Sequence, residues 1–347
     1  MSIVVLKLPE VKVEAGRPNR CPVCKGETFQ GWGGRWKKVC DHEVKQVRVN
    51  RYRCCQCKHT FRQYPEGVDQ AQQSQRLRRL AALSWVLGLS YRGVAGLFAV
   101  FGVGISRMSA WRDEQEWAKQ LQRRGKHKLV RVLGLDGAYV RGWGDTRPVL
   151  VAVDLGTEQP VALGYVDEKD PQAVRRWLAP LVQQLGVSVI VTDDLLSYRI
   201  VAEKLVLEHQ VCQFHVRRWV GKTLHELRQS LAHEWLWVLD EIKALLGNLP
   251  IEGSRRLLAL YKQVPERFAS QADAPLTPLE KLRLLLIRLS NHWPTYRVFD
   301  WQQDVPWTNN GTERVIGRMK MRSRTVRGFK SEPTMLAGLM AAGAWVY

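Results

Sequence analysis

The sequence lacks long apolar segments. No run of apolar residues approaches the ~20 that a membrane-spanning helix needs, although 45% of the 347 residues are hydrophobic. The opening residues, MSIVVLKLPE, also lack the extended apolar region of a secretory signal, because charged residues follow the short apolar stretch at once. These absences disfavour membrane and secreted proteins, and we expect a soluble, cytoplasmic protein with no membrane partner.

Acidic residues are scarce relative to basic ones. The chain has 33 Asp and Glu against 53 Lys and Arg, a formal net charge of +20. The imbalance lies mainly in residues 1–130, with 25 basic and 10 acidic residues, whereas residues 131–347 hold 28 and 23. Lys and Arg side chains that contact phosphates release condensed counterions, so a strongly basic N-terminal region indicates nucleic acid as the partner.

Cysteine is nearly absent outside one short region. Six of the seven cysteines lie between positions 21 and 57, and four of them form two CxxC pairs. In a reducing compartment such pairs favour a metal over disulfides, and four thiolates around one Zn²⁺ make a closed, structural site. We therefore predict a zinc ribbon over residues 1–65, with Zn²⁺ bound by Cys21, Cys24, Cys54 and Cys57. Three nearby side chains remain alternative ligands: Cys40, His42 and His59.

Residues 66–128 have the pattern of three short helices. Leucines at helical spacing begin the segment, and Ser90 and Ser106 can cap a second and a third helix on either side of a glycine break. A helix, a short glycine turn and a capped helix are the layout of a helix-turn-helix DNA-binding domain. The third helix would present Arg107, Ser109 and Arg112 to a DNA groove. A small helical bundle that only packs is the alternative.

From residue 129 the pattern changes to that of an α/β domain. The segments VRVLGLDGAYV and SVIVTDDLLSY are typical of apolar strands, the first ending in Asp136 and the second in Asp193 and Asp194. A predicted hairpin and an amphipathic helix lie between them, which gives the order β–β–β–α–β over residues 129–215. We expect an RNase H-like mixed sheet, in which these two strands are neighbours and their carboxylates meet at one edge.

The last part of the chain combines helices with a basic segment. Residues 216–304 have apolar positions at a period of 3.6 and few strand signals, so we predict an all-α insertion before the end of the core at residues 305–347. This last segment holds NNGTER, in which Glu313 is a lone acid before a run of basic residues. Asn310 and Glu313 have the spacing of a capping box, which is the structural interpretation of Glu313.

The LDGAYV, VTDD and NNGTER stretches, in this order, resemble the three acidic motifs of DDE transposases of bacterial insertion sequences. VCQFHVRRW carries Cys212 and His215 in CxxH spacing and is similar to the branch related to Mutator-like elements. The resemblance covers most of residues 80–347. It implies that Asp136, Asp193 and Glu313 are the catalytic, metal-binding residues, with Asp194 as the alternative to Asp193.

The resemblance also implies an activity. Such an enzyme binds the terminal inverted repeats of a mobile element and catalyses DNA cleavage and strand transfer. Three carboxylates would hold two Mg²⁺ ions per active site, with Mn²⁺ able to substitute. Double-stranded DNA of the element ends and of the target is the expected partner. Pairing of two ends implies a homodimer or higher oligomer, associated with the bacterial nucleoid. Basic residues after Glu313 would grip the DNA backbone: Arg314, Arg318, Lys320, Arg322, Arg324 and Arg327.

Two other functions fit the same residues. An RNase H-like nuclease or resolvase would cut without joining, and a catalytically silent regulator derived from a transposase would bind DNA without cutting. Cys212 and His215 have two interpretations as well, metal binding or a structural role that positions DNA. Three tryptophans of the insertion are predicted core residues, with stacking on an unpaired base as the alternative: Trp219, Trp235 and Trp237.

Overall fold

The computed structural model describes residues 8–125, 129–140, 148–266, 275–326 and 328–344. The chain divides into two compact units. One consists of Met1–Arg123 and Met321–Tyr347, and the other of Arg124–Lys320. Within the described ranges, no helix combines the length and the apolar character that crossing a membrane requires.

The first unit begins with a three-stranded antiparallel sheet. Its strands lie in the order β1–β2–β3; they are β1 Phe29–Lys38, β2 Gln46–Cys54 and β3 Thr60–Gln63. β2 is the central strand, and its Val47 and Val49 are buried with Val11, Val39 and Val68 in a small core. β1 is an edge strand whose residues are exposed over most of its length.

Three helices follow, as the sequence predicts: α1 Gln75–Val86, α2 Tyr91–Val100 and α3 Arg107–Gly125. The Ser90 hydroxyl accepts a hydrogen bond from the Gly93 N–H, and the Ser106 hydroxyl accepts one from the Ser109 N–H, both at 3.0 Å. Each serine therefore caps the N-terminus of its helix. Gly102 has a φ of +67° and ends α2 in the left-handed region that favours glycine.

The second unit contains a mixed five-stranded sheet in the order β6–β5–β4–β7–β8. The strands are β4 Val132–Ala138, β5 Val149–Asp154, β6 Gln159–Tyr165, β7 Val189–Thr192 and β8 Glu208–Val211. The predicted order β–β–β–α–β is present. The expected neighbours are also paired, since β4 runs antiparallel to β5 and parallel to β7. β4 is thus the central strand, buried from Val132 to Leu135.

Helices make up most of the rest of this unit. They are α4 Pro171–Leu185, α5 Leu196–Leu205, α6 Gln213–Ser230, α7 Leu236–Asn248, α8 Gly253–Gln263 and α9 Pro278–His292. Three short 3₁₀ turns accompany them: His233–Trp235, Trp293–Tyr296 and Val298–Asp300. The helices α6 to α9 share one apolar core that includes Leu239, Leu286 and Trp293. These helices therefore have an apolar core of their own, and their role as an inserted domain stays a prediction.

Two helices end the chain, α10 Asn310–Thr325 and α11 Glu332–Gly343. The sequence analysis placed residues 305–347 together with the catalytic core, whereas the structure groups Met321–Tyr347 with the first unit. The reason is that α11 is buried along most of its length, and Ala337 and Ala341 pack in the same core as Leu77. A helix that is apolar on all sides needs cover on all sides.

Candidate functional site

Two acidic residues stand side by side at one edge of the five-stranded sheet. β4 and β7 pair in parallel with Gly134 opposite Val191. Asp136 and Asp193 each lie two residues beyond this pair, so the register places them together. The Gly137 N–H donates to Asp136 Oδ1 at 2.8 Å, and the Leu195 N–H donates to Asp193 Oδ1 at 3.3 Å.

The electrostatics of these carboxylates show their closeness. Burial, followed by the negative charge of Asp193, raises the pKa of Asp136 to about 7. Burial also raises the pKa of Asp193, and His215 opposes that rise. Burial disfavours the ionised form of each carboxylate because the carboxylate has lost water, and the like charge of Asp193 disfavours the ionised form of Asp136 further. A positive charge bound here would favour the ionised form of both carboxylates and so lower both pKa values.

Asp194, the alternative to Asp193, has different surroundings. The Arg199 guanidinium donates to its Oδ1, and Arg288 Nη2 lies 2.7 Å from its Oδ2. The Asp194 side chain is only 6% exposed. Two arginines therefore use both oxygens of Asp194, whereas Asp193 faces Asp136.

Glu313 lies in the first turn of α10, and the start of this helix is held on β4. Asn309, the residue before the helix, donates from Nδ2 to the Leu135 carbonyl at 2.9 Å and accepts from the Thr312 hydroxyl at 2.6 Å. Gly134 makes this approach possible, because a Cβ there would lie 2.0 Å from Thr312 Oγ1. The helix start is therefore fixed against the strand that carries Asp136.

The CxxH pair connects these elements. The Asn309 N–H donates to the Cys212 Sγ at 3.2 Å, which ties the start of α6 to the start of α10. His215 Nε2 lies 3.8 Å from Glu313 Oε1. The Cys212 side chain, followed by the charges of Asp136 and Asp193, raises the pKa of His215 against the effect of burial. His215 thus interacts electrostatically with Asp136 and Asp193, and the Glu313 carboxylate lies beside its ring.

One acid of this cluster was missed in the sequence. Glu168, in the loop between β6 and α4, has its pKa raised by burial and by the charge of Asp193. A Cβ on Gly137 would lie 2.0 Å from Glu168 Oε2, so this carboxylate lies against the residue after Asp136. The sequence does not single it out, because Glu168 is one of three acids among the four charged residues at positions 167–170.

The four predicted zinc ligands come together. The Cys21 and Cys57 sulfurs are 3.7 Å apart, and those of Cys24 and Cys54 are 3.5 Å apart. Four sulfurs at the Zn–S bond length of about 2.3 Å in a tetrahedron lie about 3.8 Å from one another. The cysteines therefore fit one Zn²⁺.

Only one other group among the described residues brings three potential metal ligands within 4.8 Å, and it consists of Asp41, His42 and Glu43. Asp41 there accepts from the Ser74 hydroxyl and from Arg76 Nε, the latter at 2.9 Å. This group is therefore a salt-bridge network. Cys40 lies apart from the four cysteines and donates to the Gly104 carbonyl at 3.5 Å.

The acidic cluster is more open than the cysteine site. No three carboxylates of this cluster bring their oxygens within 4.8 Å of one another in the described part of the chain. Its donor set is nevertheless what Mg²⁺ prefers, since carboxylate oxygens bind this ion together with water and substrate phosphates. The mutual repulsion of Asp136 and Asp193 is the feature that a divalent cation would relieve.

The predicted DNA-contacting residues of α3 lie at the surface in part. Arg107 and Arg112 are exposed, and Ser109 is half-buried. The Ser109 hydroxyl lies 3.1 Å from that of Ser106, so it contributes to the helix cap.

The basic residues of α10 have several fates. Arg324 is exposed. Arg314 Nε donates to Glu158 Oε2 at 2.9 Å, and Arg318 Nη2 donates to the Glu158 carbonyl at 3.3 Å. Lys320 is half-buried, and Arg327 lies outside the described residues.

Arg322 differs from the rest of this predicted set because it is buried. Its guanidinium lies 4.1 Å from the centroid of the Trp85 ring and donates to the Gly88 and Leu89 carbonyls at 3.3 and 3.0 Å. With 3% of its surface exposed, Arg322 is not available to a phosphate.

Among the tryptophans of the insertion, Trp219 and Trp235 are partly buried against the helical core. Arg288 stacks over Trp219 at 4.3 Å from the ring centroid. Trp237 is 48% exposed, contrary to its prediction as a core residue.

Comparisons with known proteins add a family. Residues 149–336 match a family model described as the transposase IS66 family. This range contains Asp193 and Glu313 but begins after Asp136. A solved structure, the Drosophila P element transposase strand transfer complex, is 11% identical over 77% of this chain and 78% of that chain, with a TM-score of 0.25. A TM-score this low does not establish a shared fold. No curated protein matches the chain.

Proposed function

Since the chain belongs to the IS66 transposase family, we propose that it cleaves and joins DNA at the terminal inverted repeats of a mobile element by a DDE mechanism. In this proposal the five-stranded sheet is an RNase H-like core, and Asp136, Asp193 and Glu313 are the three acids. The observation that carries it is the parallel register of β4 and β7, which brings Asp136 and Asp193 to one sheet edge.

These three residues would hold the divalent metal. Bound there, two Mg²⁺ ions, or Mn²⁺ in their place, would activate the attacking oxygen and neutralise the leaving oxygen of a phosphodiester. Asp136 would contribute to both metal positions. The hydrogen bonds of Asn309 and Thr312 fix the first turn of α10 and would thereby orient Glu313 toward the metal.

The CxxH pair has a positioning role in this proposal. Cys212 accepts a hydrogen bond from the backbone just before α10, and His215 Nε2 lies 3.8 Å from Oε1 of Glu313. The pair would therefore keep α6 and α10 in register around the site. On the basis of this pair, we also propose that the chain is related to the Mutator-like branch of DDE transposases.

DNA would be held by the basic surfaces of the first unit. β1 presents Trp32 and Trp36 at 42% and 51% exposure, and Arg53 and Arg48 lie over their rings at 5.0 and 6.0 Å from the centroids. Such cationic and aromatic side chains suit phosphates and sugars. Arg107, Ser109 and Arg112 of α3 would meet a groove of the element ends.

Basic residues that follow Glu313 in the sequence would add contacts to the DNA backbone. From the predicted set we retain Arg318, Lys320, Arg324 and Arg327, and omit the buried Arg322. Arg314 would have to leave Glu158 before it could bind a phosphate. Pairing of two element ends requires at least a homodimer, acting on nucleoid DNA in the bacterial cytoplasm.

A cleavage and joining assay tests the proposal. Zinc-loaded protein is incubated with Mg²⁺, a supercoiled target plasmid and a DNA duplex that carries the inverted repeats flanking the gene. We expect nicks at the repeat ends and joined products detectable by sequencing. Asp136→Asn, Asp193→Asn and Glu313→Gln should lose both products and keep DNA binding, because each removes a metal ligand and a negative charge near phosphates.

Asp194→Asn is the matched control, assayed below its melting temperature. It removes the neighbouring carboxylate and should keep both products. Loss in Asp194→Asn with activity in Asp193→Asn would exchange the two assignments. Cleavage without joining would make the protein a nuclease or resolvase. Binding with neither product, for correct ends, would leave a DNA-binding regulator.

A further inference from the structure

Glu168 is anchored from both ends of its residue. The Ser197 hydroxyl donates to its backbone carbonyl, and the Tyr198 hydroxyl donates to its Oε2 at 3.3 Å. Both partners come from the start of α5, and Tyr198 is completely buried. These hydrogen bonds fix the loop between β6 and α4 and hold the Glu168 carboxylate in place.

The carboxylate of Glu168 occupies space that Gly137 leaves open. A Cβ at Gly137 would lie 2.0 Å from Oε2 and 2.6 Å from the carboxyl carbon of Glu168. Both distances are below any real contact, so only glycine permits this arrangement. Because Gly137 directly follows Asp136 on β4, the Glu168 carboxylate lies next to the predicted metal-binding edge.

The charges around Glu168 distinguish it from structural carboxylates of the same unit. Asp194 binds Arg199 and Arg288, and Glu158 binds Arg314. Glu168 instead accepts a hydrogen bond from the Tyr198 phenol, and its carboxylate lies close to Asp193 and to the residue after Asp136. A carboxylate that joins two others, rather than an arginine, is placed where a cation is needed.

We propose that Glu168 is a fourth carboxylate of the active site, which shares in binding the divalent metal beside Asp136 and Asp193. Tyr198 is its positioning residue. This inference rests on the proposed function, because it assigns Glu168 to the same metal site. It differs from the three-acid assignment in predicting that removal of Glu168 weakens metal binding itself.

Mn²⁺ binding to the zinc-loaded, full-length protein tests this. Free Mn²⁺ is measured by electron paramagnetic resonance during a titration, without DNA. We expect Glu168→Gln to weaken the affinity for Mn²⁺ by about tenfold or more, since even outer-shell partners of metal ligands contribute about 10–100-fold. Tyr198→Phe should weaken it less, because the carboxylate remains but loses its hydrogen bond.

Asp167→Asn is the matched control, since it removes an adjacent charge that accepts from the Lys169 N–H on its own loop. It should change the affinity by less than about twofold, within the spread expected for a screened charge. Circular dichroism confirms folding of each variant. If Glu168→Gln does not fold, Tyr198→Phe decides alone, and an affinity equal to wild type overturns the proposal.

Asp136→Asn separates the two levels of inference. If Asp136→Asn loses Mn²⁺ while Glu168→Gln binds as wild type, the fourth-carboxylate proposal is wrong and the proposed function stands. If neither substitution affects Mn²⁺ binding, the metal site itself is wrongly placed and the proposed function fails.

Discussion

The four-cysteine cluster and the proposed carboxylate site at the sheet edge are built in opposite ways. The four cysteines come from two short motifs within residues 21–57, and their sulfurs all lie within 4.8 Å of one another. The carboxylates come from β4, the β6–α4 loop, the end of β7 and the start of α10. They are farther apart, and the carboxylates of Asp136, Asp193 and Glu168 each accept a separate hydrogen bond, from Gly137, Leu195 and Tyr198.

The difference follows from what each site has to do. A structural zinc ion takes all four ligands from the protein, so the ligands are assembled around it and it contributes to folding. A catalytic magnesium ion keeps positions open for water and phosphate, so the protein supplies only some ligands. Closed geometry is therefore the mark of the first kind of site, and unrelieved repulsion the mark of the second.

The largest effect should come from breaking the cysteine site. Cys54→Ser should lose zinc and unfold the ribbon, since structural zinc supplies about 10–16 kcal/mol of apparent binding free energy in small zinc domains. Zinc content by plasma mass spectrometry and hydrogen exchange over Phe29–Gln63 measure both. Cys55→Ser, at an exposed neighbour, should keep one zinc per chain. Full zinc in Cys54→Ser would exclude the assigned ligand set.

A smaller effect of opposite sign should follow at the carboxylate site. In protein without Mg²⁺, Asp136 has a pKa raised from 3.8 to about 7. Below pH 4 the Asp136 carboxyl is protonated in both the folded and the unfolded protein, so its burial then takes nothing from the free energy of unfolding. As pH rises toward and through 7, the unfolded protein ionises this group more readily than the folded protein does, and the free energy of unfolding falls. Asp136→Asn should remove this loss and stabilise the protein at pH 8 by on the order of a few kcal/mol, at about 1.4 kcal/mol per unit of pKa.

Urea unfolding at pH 5 and pH 8 measures this change. Asp194→Asn is the contrasting variant, because it weakens a buried ion pair and should destabilise the protein at both pH values. Equal pH dependence in wild type and Asp136→Asn would show that the repulsion at the sheet edge is absent.

The smallest effect concerns the seat of α10 on β4. Gly134→Ala places a methyl group 2.0 Å from Thr312 Oγ1, so the helix start must shift and carry Glu313 with it. We expect a destabilisation of about 1–3 kcal/mol, typical of overpacking, and slower DNA cleavage. Gly317→Ala adds a methyl group on the same helix where no atom lies within 4 Å. It should be neutral or stabilise by about 0.5–1 kcal/mol, as urea unfolding will show.

The same contrast explains what the sequence could predict. The cysteine ligands follow from spacing alone, because a CxxC turn and a hairpin are local structures. Asp136 and Asp193 were also accessible, since each ends an apolar strand and parallel strands of one sheet align such ends. Their assignment as metal ligands stays a prediction.

Other features depended on contacts between distant segments. Glu168 sits in a charged loop like many others, and only the missing side chain of Gly137 and the buried Tyr198 reveal its place. Arg322 belongs to a basic run that suggests solvent or DNA, yet the Trp85 ring and two carbonyls bury it. The helical pattern of residues 332–343 likewise does not say which core that helix joins.

The hydrogen bond from Asn309 to Leu135 joins residues 174 positions apart. Synthesis proceeds from the N-terminus and earlier segments fold first, so a nascent chain that ends before Asn309 already holds the ribbon, the three helices after it and two acids. It lacks the helix that seats Glu313. The last segment to be synthesised thus completes both parts of the chain, because α10 brings Glu313 to the proposed metal site and α11 adds Ala337 and Ala341 to the core around Leu77. We therefore expect a truncated product of translation to lack both the third acid and the complete core of α1 to α3.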